Sequence, residues 1–177
     1  MKILILGIGN VLYADEGIGV HFARYLENNY SFTHPEHSVT FMDGGTLAQG
    51  LIPLVIQYDH IVIVDTVNVP TAPYGEVYFF NYEKAPQEID WQGSAHEVEM
   101  HQTLVMMDMV GDRPETYVLG VTPRVLESMS FSLSDEIYAA VPVMEKAILQ
   151  HLNSLGIQIE RTHDYPIDYK IFDSFKH

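Results

Sequence analysis

Along the chain, short runs of continuous apolar residues alternate with longer stretches whose apolar positions recur every three or four residues. Runs of the first kind span Lys2 to Leu6, Ser38 to Met42, His60 to Val64, Glu76 to Phe80 and Tyr117 to Val121, mostly in β-branched, aromatic or other apolar residues. A strand buried on both faces of a sheet reads this way, because it has no solvent side to alternate with. The second kind appears in Ile18, Phe22, Tyr25 and Leu26, and over five turns in Ile137, Val141, Met144, Ile148, Leu152 and Leu155. That spacing gathers side chains on one helical face, so both stretches are predicted core-facing helices. Pro53 and Pro142 fall inside helical patterns, where a missing N–H and a crowded preceding turn predict a kink or a late helix start.

The alternation of strand and helix predicts an α/β fold, a three-layer sandwich with an open, mostly parallel five-stranded sheet and helices on both faces. The stretch Val69 to Gly75 is too short to hold a crossover helix, so the strand after it is expected to run antiparallel at one edge. No internal repeat or linker divides the chain. It reads as one domain over residues 1–160 followed by a tail, 161–177, that mixes charged and aromatic residues without a clear period. Tyr82 to Gly93 is polar, carries Pro86, and reads as a surface loop able to shape or cover a site.

Composition narrows the function. The 177 residues are 47% hydrophobic and 19% charged, and no apolar run approaches the roughly 18 residues of a spanning helix. A soluble globular protein is expected. The opening apolar run is short, lacks a small-residue cleavage site and runs into Asp15-Glu16, so it reads as a buried strand rather than a signal, with the cytoplasm as the default location. Nine Lys and Arg against 24 Asp and Glu give a formal charge of −15, which argues against a nucleic-acid partner and favours a basic or metal-bearing one. The absence of cysteine removes disulfides, thiolate nucleophiles and cysteine-bound zinc or iron-sulfur centres.

Gly7-Ile8-Gly9 ends the first strand as a dinucleotide-binding turn does, but Leu12 stands where that fingerprint requires its third glycine. Asp15 and Glu16 then place carboxylates where a pyrophosphate would sit. Such acids compensate the helix dipole or, facing a cleft, hold a cation. In open α/β sheets the ligand crevice lies beyond the carboxyl ends of the strands. The acids that follow three strands, Asp15 or Glu16, Asp43 and Asp65, are therefore expected to gather at one sheet edge. Gathered carboxylates need a cation, and a borderline transition metal also needs an imidazole. His96 is the best placed of nine histidines, because Ser94-Ala95-His96-Glu97 has capping-box spacing and puts it in the first turn of a helix running to about Val110. The helix dipole there keeps an imidazole neutral and able to coordinate.

His101 completes a superficial likeness to a zinc-protease helix. That motif sets its histidines four residues apart, about 40° around the helix, whereas a spacing of five gives about 140°. His101 is read instead as a surface or interface residue paired with Glu97. No G-x-S-x-G elbow and no G-x-x-x-x-G-K-[ST] loop occurs, which removes serine-hydrolase and phosphate-loop chemistry.

In order, Gly7-x-Gly9-Asn10-x-x-x-x-Asp15-Glu16-x-x-Gly19-Val20, Asp43-Gly44-Gly45-Thr46, Ile63-Val64-Asp65 and Ser94-x-His96 resemble the motifs of the nickel-iron hydrogenase maturation endopeptidases. The resemblance runs from Met1 to about Gly156, with Gly120-Val121-x-Pro123 and a final amphipathic helix in the family's order. It implies a doubly wound α/β fold and an enzyme that removes a C-terminal extension from the hydrogenase large-subunit precursor once nickel is inserted. It further implies Glu16, Asp65 and His96 as metal ligands, Asp43 in substrate recognition with a candidate catalytic role, and nickel supplied by the substrate. Zinc or cadmium is expected to fill the same ligands in vitro. The large-subunit precursor is the implied partner, with neither nucleic acid nor membrane. Glu97 stands where the family often has glutamine, and residues 161–177 extend beyond the matched part. Two other classes remain open: a non-catalytic nickel-sensing or chaperone module of the same assembly, and a nucleotide-binding protein with a degenerate fingerprint.

Overall fold

A computed structural model describes residues 1–45, 49–91, 95–109, 111, 113–124 and 132–167, with the side chains of 49 and 95–99 outside that description. The main sheet is built from β1 (Lys2–Ile8), β3 (Ser38–Gly45), β4 (His60–Thr66), β5 (Val77–Asn81) and β6 (Glu115–Val121), paired in the order β3-β1-β4-β6-β5. The first four in that order are parallel, and β5 runs antiparallel to β6 at the edge. The expected sheet and its antiparallel edge strand are both present. All seven residues of β4 are buried, as the continuous apolar run requires of a central strand.

Helices cover both faces. α1 (Ile18–Asn29) and α4 (Asp135–Ser154) pack Ile18, Phe22, Leu26, Ile137, Met144, Ile148 and Leu152 against Ile3, Ile5, Val62 and Val64. On the opposite face α2 (Ile52–Val55) and α3 (Ala95–Met109) bring Val55, Met100, Leu104 and Met107 onto Leu4, Leu6, Ile61 and Ile63. Full burial of each such side chain stabilises by about 1.5–3 kcal/mol relative to exposure. The predicted end of α3 at Val110 lies one residue past Met109 and outside the described residues, as does the Ser94 cap.

Pro53 sits in the first turn of the one-turn helix α2, the late start expected of it. At Pro142 no late start occurs: α4 begins at Asp135 and continues through it. Pro142 and Tyr138, whose carbonyl the ring cannot serve, are both exposed, so solvent can take over the lost hydrogen bond.

A second sheet joins β2 (Tyr30–Thr33) antiparallel to β7 (Gln158–Arg161). Arg161, the first residue assigned to the tail, closes β7. Beyond it the buried Asn29 holds the chain down: its Oδ1 accepts the Tyr165 N–H at 2.6 Å, its Nδ2 donates to the Tyr165 carbonyl at 3.1 Å, and its carbonyl accepts the Thr162 N–H at 2.7 Å. Residues 168–177 of the tail lie outside the described residues.

At the amino end of β4, His60 Nε2 lies 2.8 Å from His151 Nε2, between Tyr117 and Phe79. Burial pushes His151 down to about 4, assisted by neighbouring His60, and burial also lowers His60, partly opposed by Glu115 at 3.5 Å. An unfolded imidazole takes its proton near 6.5, whereas folded His151 resists protonation until about 4. The pair's stability contribution is therefore present above 6.5 and lost as the pH falls toward 4. Urea unfolding across that range is expected to show a falling midpoint, with a shallower fall in His151→Gln. Parallel slopes in the two proteins would contradict the assignment.

Candidate functional site

The strand order reverses about β1, with β3 on one side and β4 on the other, so the crevice of the sheet opens at the carboxyl ends of β1 and β4. Three glycines let the chain close over that edge. A Cβ on Gly9 would collide with the Glu16 carbonyl, one on Gly7 with the Gly19 carbonyl, and one on Gly19 with the carbonyls of Ile8 and Val64. Gly9 also has φ +135, where L side chains are strained. These glycines serve backbone packing. Leu12, the misfit of the fingerprint, donates its N–H to Asn10 Oδ1 at 2.9 Å, and the turn is completed internally.

The 3-10 turn Ala14–Gly17 places the two carboxylates in opposite roles. Asp15 is 0% exposed and accepts hydrogen bonds from the Arg124 N–H at 2.8 Å, the Ser134 N–H at 2.7 Å and the Ser134 hydroxyl at 2.7 Å. It ties the segment after β6 to the start of α4. Glu16 is only half-buried, on a turn packed against β4. Asp65, 5% exposed near the carboxyl end of β4, accepts the Thr66 N–H at 2.7 Å. Beside it in the sheet stands Gly120, whose missing side chain leaves room that Val67 occupies.

Asp43 lies apart from Asp65. It pairs in register with Gly7, which on its other side pairs with Val64, so Asp43 is two strand spacings, about 10 Å, from the level of Asp65. Its Oδ1 accepts the Gly45 N–H at 2.9 Å and its Oδ2 faces Arg24 Nη2 at 3.1 Å. With the side chains 43% and 36% exposed, this ion pair adds at most about 1 kcal/mol of stability, so its effect is to orient the carboxylate. Thr46, the last residue of that motif, lies outside the described residues.

His96 stands in the first turn of α3, one turn before Met100, which lines a slot beside Asp65. Its side chain is outside the described residues, and among the described residues no three His, Asp or Glu side chains form a metal cluster. His101 is half-buried, and the pairing expected with Glu97 falls on a side chain outside the described residues. His101 stacks on Trp91 at 5.2 Å, and its Nδ1 lies 2.9 Å from the Tyr82 hydroxyl. The loop from Tyr82 thus reaches the site edge through Trp91; residues 92–93 lie outside the described residues. Sequence reasoning missed Arg24, one of only nine cationic side chains, and Trp91, the single tryptophan.

A sequence model described as hydrogenase maturation protease (HycI) matches residues 20–151. Protein HydD of Wolinella succinogenes is 46% identical over 150 residues, 84% of this chain and 94% of that protein. The hydrogenase 2 maturation protease of Escherichia coli is 29% identical over 168 residues, 93% of this chain and 100% of its own length. The solved structure of the hydrogenase maturating endopeptidase HybD from E. coli superposes with a TM-score of 0.81 at 26% identity, covering 91% of this chain and 98% of that one.

The two neighbouring carboxylates are separable by stability. Asp15→Ala is expected to lower the unfolding free energy by about 3 kcal/mol, because it strands donors that a buried anion now satisfies. Urea unfolding measures it, and a loss below about 1 kcal/mol would contradict the anchoring role.

Proposed function

The chain belongs to the hydrogenase maturation protease family, and we propose that it is the endopeptidase that removes the C-terminal extension of a nickel-iron hydrogenase large-subunit precursor after nickel insertion. The observation that carries this reading is the meeting of two elements at the reversal of strand order: the turn bearing Glu16 packs on β4, the strand bearing Asp65. The first turn of α3 supplies His96 as the third member.

Two carboxylates and one imidazole make a mixed oxygen and nitrogen set suited to a borderline divalent metal, and three ligands leave coordination positions open. Such a set captures a metal presented by a partner. Nickel is here part of the substrate, already held by the large subunit, and its capture by Glu16, Asp65 and His96 fixes the precursor against the crevice. The scissile bond is thereby held near a cation able to polarise its carbonyl or the attacking water. Asp43, about 10 Å away by strand spacing and oriented by Arg24, contacts the precursor beyond the metal and is the candidate proton acceptor. The chain's charge of −15 favours approach of a metal-bearing partner.

Nickel-loaded precursor is the substrate for the test, with mass spectrometry of the products. Glu16→Gln, Asp65→Asn and His96→Ala are each expected to abolish processing while leaving the fold intact; full activity in any one removes that residue from the site. Chelator treatment of the enzyme followed by chelator removal is expected to leave processing unchanged, and nickel-free precursor to stay uncut. Added zinc or cadmium is expected to occupy the three ligands and inhibit. Cleavage of nickel-free precursor would overturn the substrate-metal reading.

A further inference from the structure

The helix that carries His96 has apolar side chains on both of its sides. Toward the sheet α3 buries Met100, Leu104 and Met107. Away from it Val105 and Met106 are exposed, and Met109 is 82% exposed. At about 100° per residue, Met109 lies about 160° around the helix from Met107, on the side opposite the core. A surface helix ordinarily gives that side to polar residues, and a helix apolar all round is one that something covers. On the same face of the sheet, α2, whose preceding turn Gln49–Leu51 packs on α3, adds the exposed Leu54 and Ile56. Exposed apolar side chains scattered singly need no explanation, but a group of them marks a surface that meets a partner. The group also has the makeup of an interface core, where methionine is enriched because its unbranched, polarisable chain adapts to irregular shapes, and where charge is depleted. The acid within this stretch, Asp108, is paired with Arg113 Nε at 3.3 Å.

We propose that this outer face of α3, extended by α2, is a docking surface for the folded body of the precursor, separate from the residues that hold its metal. The inference rests on the proposed function, since it takes the precursor as the partner whose metal meets His96. An interface of ordinary size buries about 800 Å² per partner, a patch with a radius of about 16 Å. Along the helix Val105 and Met106 lie about 14 and 15 Å from His96, and Met109 about 20 Å. A body seated at His96 therefore reaches Val105 and Met106 and has Met109 at its rim. Charge selects the same occupant. Two copies of this chain would bring formal charges of −15 face to face, which opposes self-association, whereas a partner with basic groups around an apolar patch is attracted. Contacts so far from the cut bond are made equally in the ground state and the transition state, so they act on KM and not on kcat. They also form without nickel.

The test combines Val105→Gln, Met106→Gln and Met109→Gln, exposed changes expected to leave the urea midpoint unchanged. Met109→Gln alone is the milder second variant, and Val143→Gln, at an exposed apolar position of α4, is the control. With full-length nickel-loaded precursor, the triple variant is expected to raise KM about tenfold with kcat within about twofold, Met109→Gln to give part of that rise, and the control to give none. With nickel-free precursor, titration calorimetry is expected to show binding to the wild type that weakens about tenfold in the triple variant. An unchanged KM, an equal rise in the control, a fall in kcat alone, or nickel-free precursor that the wild type does not bind would overturn the docking surface. Sedimentation showing a wild-type dimer that the triple variant breaks would assign the face to a second copy and overturn it as well. Failure of the wild type to cut nickel-loaded precursor would overturn the proposed function, while binding of nickel-free precursor lost in the triple variant would still uphold the surface.

Discussion

The close approach of backbone at Gly7, Gly9 and Gly19 is the constraint on which the site depends. Any side chain at these positions would meet a carbonyl of the opposing segment, so only their absence lets the start of α1 and the turn before it rest on the ends of β1 and β4. That contact decides where the carboxylates go. Were the turn lifted by the width of a methyl group, Asp15 would lose its reach to Arg124 and Ser134, and Glu16 would leave the edge of β4. A glycine pattern shared with nucleotide-binding turns here brings an acidic turn against a sheet edge. On the proposed function, the same pattern serves a cation instead of a phosphate.

Asp15 and Glu16 show how adjacent residues of like charge divide stability from chemistry. Asp15 is wholly buried and satisfied by donors from distant parts of the chain, so its charge is spent within the fold. Glu16 is left half-buried. Asp43 and Arg24 form a third arrangement, an exposed pair whose small energy makes it an orienting device rather than a support. Near Asp65, Trp91 stands within a cluster of rings with Tyr82 and His101.

Much of this architecture is legible in the sequence, for physical reasons that also explain the gaps. The central strands β1, β4 and β6 are continuous apolar runs because both their faces are covered, and the short Val69–Gly75 connection can only return the chain antiparallel. Glu16 just past β1 and Asp65 at the end of β4 fall at one edge because parallel strands end together. By contrast, β2 and β7 are four residues each and pair Tyr30 with Arg161, so neither length nor local period announces them. The distinction between Asp15 and Glu16 rests on partners more than a hundred positions away, and the role of His101 on rings contributed by another loop. Residue spacing along α3 showed that His101 and His96 fall on different sides; it could not show that His101 would meet Trp91.

On the proposed function, enzyme side chains add to the coordination of a metal the substrate already holds. Nickel-edge X-ray absorption of the loaded precursor, alone and then mixed with the Asp43→Asn enzyme to slow turnover, tests it directly. Additional oxygen and nitrogen scattering is expected in the mixture at about 2.0–2.2 Å, the range of carboxylate and imidazole ligands on a divalent metal. That scattering is expected to be lost when Asp65→Asn is combined with Asp43→Asn. A nickel spectrum unchanged by a saturating amount of bound enzyme would contradict it.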